Sequence, residues 1–490
     1  MNILHMKKTL LLLCGLFSLE AVAQNEITWD AGVNIAASSF GNEHPRIATD
    51  GNGNPLVLWH HAGSAMFSRW DETGFTVPVA LNPLPLAIAG AGFMGPDIAA
   101  KGDTVYVVFK QTPEASDTCH IYCVHSFDGG SSFSAPVQVD NFVGGISRFP
   151  TLTTDGLGNP LIGIMKFNAS FGESRWVVSK STDFGSTFST DVLASGWSSA
   201  TSVICDCCPG SIVCSGSTVA MLYRDNNSNI RDTWVGLSSD TGTSFTEGVG
   251  VNQQNWMITA CMGSGPDGVI IGDTLYSVAM NGASGMSAVH YSKSSLTEAT
   301  GGVGTPITGS ISGLSIQNFP RISASGNALA VVWKQVVDGT AACALRFTNE
   351  ISTGLGEAFE VVDFDNITNT DVAVTEGSVF VVWQDDASGT VKFRGGTFAP
   401  STLAVIESVP NHTLIYPNPF SSQTTLQTDV LLQQASLTVY NAFGQAVREM
   451  TGLSGHTVQF DRENLPSGLY FVQLVQGNKK IAVDEWVITD

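Results

Sequence analysis

The sequence is short of charge: only 13% of its 490 residues are Asp, Glu, Lys or Arg, against a usual share of roughly 25%. Basic residues are scarcest, 22 Lys+Arg against 43 Asp+Glu, for a formal charge of −21. Such a balance repels phosphate backbones and anionic lipid, which argues against nucleic-acid binding and a basic membrane contact. After the first residues there is no apolar run of the ~20 residues a membrane-spanning helix needs. What is plentiful is glycine, 51 residues, spread through short Val-, Ile- and aromatic-rich segments. The texture is turn-rich β structure, and the length exceeds what one core serves.

The N-terminus reads as a targeting signal. Lys7 and Lys8 precede the apolar run Leu10 to Phe17, and Ala21-Val22-Ala23 gives a small-x-small cleavage pattern before Gln24. Residues 1–23 are therefore expected to be a signal peptide, with export and an oxidising destination to follow.

Internal repetition sets the main architecture. A strand opening on Pro or Asp, a Gly/Asn turn and a second apolar strand recur from Pro45, Pro96, Pro150, Pro209, Pro266, Pro320 and Thr370, 50 to 60 residues apart. That spacing suits a four-stranded sheet per repeat, and seven such sheets around an axis make an all-β, seven-bladed β-propeller over residues 24–399, with six blades as the alternative. The segment Ile27 to Ile35 has the pattern of an outer strand and is expected to complete the last blade. After a linker at 400–413, residues 414–490 alternate with period two between Gly, Pro and Asn breaks, which predicts a small C-terminal β-sandwich.

A second motif, S-x-D-x-G-x-[ST]-F, appears at Ser126–Phe133, Ser181–Phe188 and Ser238–Phe245. It resembles the Asp box of sialidase-like (BNR-repeat) propellers, where Asp128, Asp183 and Asp240 would be structural turn residues. The C-terminal segment resembles the type A sorting domain of the type IX secretion system of Bacteroidota, on Tyr416-Pro417-Asn418-Pro419-Phe420, the run Leu437 to Val447 and the run Leu465 to Leu474. It departs from the usual basic tail, because Lys479-Lys480 lies ten residues before the end. These resemblances imply a secreted or cell-surface protein handled by type IX machinery through residues 414–490.

Alignment of the repeats places Arg46, Asp97, Thr151, Ser211, Gly268, Arg321 and Asp371 at one position near the channel mouth. Sialidase chemistry needs three arginines on the substrate carboxylate, for which Arg46, Arg148 and Arg321 are the candidates, with Asp97 and Asp371 as acidic neighbours. The family's arginine motif is not reproduced around Arg46, and no Tyr occurs between Tyr291 and Tyr416. A salt-bridged ring is the competing account of these residues. Arg224-Asp225 and Arg231-Asp232, in the fourth blade, offer two guanidinium and two carboxylate groups to a polar ligand such as a sugar. Their alternative is an ion-pair network within the blade. Trp176, Trp197, Trp234 and Trp256 are candidate exposed aromatics for a glycan.

The run Cys205-Asp206-Cys207-Cys208-Pro209, with Cys214 and Cys261, is the densest sulfur in the chain. In an oxidising compartment these are disulfide candidates, and thiolate binding of Zn²⁺ is the alternative. Asp50-Gly51-Asn52-Gly53-Asn54 imitates a calcium loop, but Pro55 and His61 replace the Gly and Glu such a loop needs. No metal or cofactor is expected. The functional expectation is an exported, non-catalytic glycan- or glycoprotein-binding propeller. The rivals are a sialidase-type glycoside hydrolase and a structural adhesin.

Overall fold

The computed structural model describes residues 27–37, 39–115, 119–140, 144–199, 203–260, 262–298, 301–400, 413–441, 446–476 and 479–490. The expected signal peptide and the body of the linker lie outside these. Among the described residues the propeller has seven antiparallel sheets. Blade 1 runs from Asn42–Thr49 to Val79–Ala80, blade 2 from Asp97–Lys101 to Val137–Gln138, and blade 3 from Gly145–Thr154 to Val192–Leu193. Blade 4 spans Ser211–Ser215 to Glu247–Asn252, blade 5 Asp267–Ile271 to Thr305–Pro306, and blade 6 Leu314–Ser325 to Glu360–Asp363. Blade 7 is built from Ile367–Thr375, Ser378–Asp385 and Thr390–Thr397. Its outer positions are filled from the N-terminus, Thr28–Trp29 and Val33–Asn34 both pairing with Thr390–Thr397.

The reason for the ring is visible in the cores. Each alternating strand has two apolar faces, and one sheet cannot cover both. Leu56 and Leu58 of blade 1 pack with Val105 and Val107 of blade 2, whereas Val57 and Trp59, one residue out of phase, pack with Val382 and Phe393 of blade 7. Similar clusters join blades 2 and 3, 3 and 4, 4 and 5, 5 and 6, and 6 and 7. Period-two alternation thus sends successive side chains to the two neighbouring blades.

The motif turns lie between the third and fourth strands. In the first, Asp128 Oδ1 accepts from Ser132 N at 2.9 Å and Ser126 Oγ at 2.7 Å, while Oδ2 accepts from Ser132 Oγ at 2.6 Å. Asp183 and Asp240 repeat this pattern. Hydroxyl donation, from Ser132, Thr187 and Ser244 respectively, holds the three carboxyls down at about 2. Gly130 is needed in its left-handed conformation (φ 81°), and a Cβ there would stand 2.6 Å from the Phe67 ring of the preceding blade. Gly129 N donates to Asp103 O in the turn that ends the innermost strand of blade 2. The motif turns therefore sit at the end of the blades opposite the one where the innermost strands begin.

The C-terminal segment is one curled antiparallel sheet, where a sandwich of two sheets is expected from the sequence. The strand Gln423–Asn441 pairs with Thr413–Tyr416 in its first half, with Gly468–Gln476 in its second half, and with Ala446–Asp461 along both. Register shifts between Gln427 and Leu437 let this strand bend, so that the sheet closes over Phe420, Leu437, Phe460, Leu474 and Trp486. One strand serves both halves, a sharing that alternation alone does not reveal.

Candidate functional site

The innermost strands begin around a shared vestibule lined by His44, Arg46, Asp97, Phe149, Arg321 and Thr370, among others. Four of these strands open on a bulge with a left-handed residue before the ring position: His44 (φ 57°), Phe149 (49°), Phe319 (50°) and Asn369 (54°). The ladder shifts register at each of them. Left-handed backbone at non-glycine residues costs about 1–3 kcal/mol each. The ring position comes two residues after each of the four, at Arg46, Thr151, Arg321 and Asp371.

Arg46, Arg321 and Asp371, with Asp97 and Asp267 from blades 2 and 5, form a ring of charges. Arg321 Nε lies 3.1 Å from Asp371 Oδ1 and 3.4 Å from Asp267 Oδ2. Burial disfavours its charge, but Asp267, Asp371 and Asp97 outweigh that and push its pKa up. Arg46 Nε is 3.7 Å from Asp97 Oδ1, and Arg46 Nη2 donates to His44 Nε2 at 2.6 Å. Burial and the neighbouring Arg321 bring Arg46 down to about 10, so it is still a cation at neutral pH. Burial and Arg46 hold His44 far below the usual histidine value, so it is neutral and accepts.

The aspartates also tie blade to blade. Asp371 accepts from Ile47 N at 3.0 Å, Asp97 from Leu152 N at 3.1 Å, and Asp267 from Ile322 N at 2.9 Å. Ser211 Oγ donates to Asp267 at 2.7 Å. Asp267, which follows Pro266 as Arg46 follows Pro45, occupies the position the repeat alignment assigns to Gly268. It faces Val278 across the ladder as Asp97 faces Val108 and Arg321 faces Val332. The alignment slips by one residue because Pro-Asp-Gly lacks an apolar residue to anchor the register. The space left at the axis is about 40 Å³, room for a few waters and far below the ~300 Å³ at which small-ligand pockets begin.

Arg148 lies outside this ring. Its guanidinium is ion-paired with Glu114 and stacks on the Phe167 and Phe171 rings at 5.2 and 4.9 Å. Phe171 is 47% exposed, and Phe93, 41% exposed, stands 6.2 Å from Phe149. These rings lie on the vestibule side, in the loop between the second and third strands of blade 3 and the loop entering blade 2. Of the tryptophans expected to be exposed, Trp176 and Trp256 are buried and Trp197 and Trp234 half-buried. Trp176 points between blades 3 and 4 instead of outward. The exposed phenylalanines carry no repeat signal, and nothing in the sequence singles them out.

The blade 4 residues are buried together. Arg224 donates to the carbonyls of Arg231 (2.8 Å) and Met280 (2.7 Å) and lies 5.1 Å over the Trp256 ring. Asp232 accepts from Asn255 N and Trp256 N at 2.9 and 3.1 Å. Asp225 is bonded to Ser198, and burial raises its pKa. Arg231 Nη1 donates to Cys205 Sγ at 3.2 Å. These groups tie loops to strands and are not presented together at the mouth.

No two described cysteines are bonded to each other. Cys205, Cys208 and Cys214 are free thiols, as are Cys119 and Cys123, while Cys207 is itself disulfide-bonded and Cys261 lies outside the described residues. The Sγ atoms of Cys205, Cys207 and Cys208 fall within 4.8 Å of one another. With Cys207 in a disulfide, the third thiolate that a zinc site would need there is absent.

On the other side of the vestibule Glu43 stands with Asp386. Burial, and next Asp386, raise the Glu43 pKa. His60 Nδ1 is 3.6 Å from Glu43 Oε2, and Asp386 accepts from Gln384 Nε2 at 2.6 Å and Thr368 Oγ1 at 2.5 Å. The sequence carries no motif at this pair, which becomes visible only when blade 7 meets blade 1.

Similar solved structures include a protein of unknown function from Dyadobacter fermentans, at 10% identity over 76% of this chain and 99% of that one, with a TM-score of 0.47. A Hadza microbial sialidase is matched at 11% identity over 75% of this chain and 68% of that one, TM-score 0.45. The type IX secretion component PorZ of Porphyromonas gingivalis is matched at 10% identity over 91% of this chain and 59% of that one, TM-score 0.39. No curated protein matches the chain. Residues 414–489 match the model of the secretion system C-terminal sorting domain, and no helix among the described residues is long and apolar enough to cross a membrane. The chain is thus a seven-bladed β-propeller carrying a type IX sorting domain, exported to the cell surface or released from it.

Proposed function

We propose that the propeller is a non-catalytic module that binds an extracellular glycan or glycoprotein on its vestibule side. The observation that carries this reading is the engagement of Arg46 and Arg321 by the aspartate ring. Guanidinium groups held this way are not available to clamp a substrate carboxylate, and the axial space is too small for a sugar ring. Phe93, Phe171 and the stacked Arg148 supply instead the flat apolar surface and polar edge on which a sugar face rests. Residues 414–490 serve as the address read by the secretion machinery, and 24–399 as the cargo it delivers.

The test is a glycan array probed with the full chain, alongside a fluorogenic sialoside. Binding is expected, with Phe171→Ala and Phe93→Ala each weakening it about three- to tenfold, the worth of one aromatic contact. Sialoside turnover that vanishes in Arg46→Ala and Arg321→Ala chains overturns the reading.

A second reading, a glycoside hydrolase, has one observation in its favour. Glu43, raised by burial and by Asp386, has the environment of a general acid beside an acidic partner. Hydrolysis of any array glycan, reduced at least a hundredfold in Glu43→Gln with the fold intact, would establish it.

A further inference from the structure

Cys205 and Cys208 stand at the two ends of one tight turn between the strand Val203–Ile204 and Pro209. Cys205 N donates to Arg224 O at 2.9 Å, which pins the start of the turn. The two Sγ atoms are 3.4 Å apart, and both residues are 1% exposed. Arg231 Nη1 donates to Cys205 Sγ, and the Arg224 guanidinium acts on Cys208.

These arginines are unusual in their company. Arg224 and Arg231 are buried, their Nη atoms go to backbone carbonyls and to sulfur, and the Nε of each has no partner. Neither is paired with a carboxylate among the described residues. A buried cation without a counter-charge costs several kcal/mol, and the thiols of Cys205 and Cys208 stand beside these two guanidinium groups. The hydrogen bond from Cys205 accordingly brings Cys208 down to about 6, with Arg224 adding to the effect, while Cys205 is pushed up. One sulfur is a thiolate and the other keeps the proton, an arrangement suited to thiol–disulfide exchange.

We infer that Cys205 and Cys208 are a redox-active dithiol that closes to a disulfide across the turn in an oxidising compartment. The Cys208 thiolate attacks one sulfur of a small-molecule or protein disulfide. That S–S bond breaks, one half leaves as a thiolate, and a mixed disulfide forms on Cys208. Cys205 gives its proton to the departing thiolate and attacks the Cys208 sulfur, expelling the second half. The two cysteines lose two electrons, and the oxidant becomes one thiol and one thiolate, the thiolate taking its proton from water. Because both sulfurs are buried, exchange takes place before the turn packs or when it opens. Closure removes the thiolate beside Arg224 and Arg231, so the charge of this corner of blade 4 reports its oxidation state.

The full chain is folded in oxidised glutathione, alkylated under denaturing conditions and sequenced by mass spectrometry. The expected product lacks alkylation at both Cys205 and Cys208 and is two hydrogens lighter, and dithiothreitol restores both sites. In Cys205→Ser the exchange stops halfway, leaving at least ten times more glutathione on Cys208 than in the parent, and Cys208→Ser leaves it on Cys205. The idea is overturned if both thiols of the parent remain alkylatable, if either pairs with another cysteine, or if the chain retains stoichiometric Zn²⁺ that a chelator removes and that blocks oxidation. The parent measurement stands alone if a serine variant does not fold.

Discussion

Arg321 and Arg46 hold the same place in blades 6 and 1, but their surroundings differ. Arg321 bridges two aspartates within 3.4 Å, whereas Arg46 has one at 3.7 Å and a neutral histidine. Removing Arg321 leaves Asp267 and Asp371 facing each other in a buried ring. Arg321→Met is therefore expected to lower stability by about 3–5 kcal/mol and Arg46→Met by less, as measured by urea denaturation. The motif aspartates set a pH dependence of the opposite kind from a basic group. Asp128, Asp183 and Asp240 titrate near 2 when folded and near 3.9 when unfolded. Their contribution is present above the unfolded value and disappears as pH falls from about 4 to 2. The acid midpoint should move to higher pH in Asp183→Asn, read by tryptophan fluorescence. The arginines were legible as ring residues in the sequence. Asp267 was not, because a Pro-Asp-Gly start has no apolar residue to fix its phase.

At the scale of elements, the N-terminal strands decide whether the ring is closed. Ile27 packs into the cluster shared by blades 6 and 7, and Trp29 Nε1 donates to Glu360 Oε2 at 2.8 Å. A chain starting at residue 37 would leave the strand Thr390–Thr397 as an open edge. It is expected to melt at least 10 °C lower and to aggregate, seen by calorimetry and light scattering. This closure was readable, since Ile27 to Ile35 copies the outer-strand pattern. The bulges at His44, Phe149, Phe319 and Asn369 were not. His44 and Asn369 are of types that tolerate left-handed backbone, but Phe149 and Phe319 are not, so residue type alone does not mark the four positions. The C-terminal sheet shows the same limit. Alternation identified its strands but not that Gln423–Asn441 bends and is shared by both halves.

For the whole molecule, propeller and sorting sheet have separate cores. A chain ending at residue 400 is expected to fold with an unchanged melting temperature but to accumulate in the periplasm, as cell fractionation would show. The sequence by itself pointed to seven blades with six as the alternative, and it marked the closure, the motif turns and the export address. Each of these follows from a local pattern repeated along the chain or from a contiguous motif. Only the tertiary structure decided which groups meet at the vestibule. Arg321 with its two aspartates, Glu43 with Asp386, Arg148 between its rings and the tryptophans turned inward all depend on contacts between residues distant in the chain. Charge pairing and burial act through space, so the chemistry of the mouth was settled where blades touch.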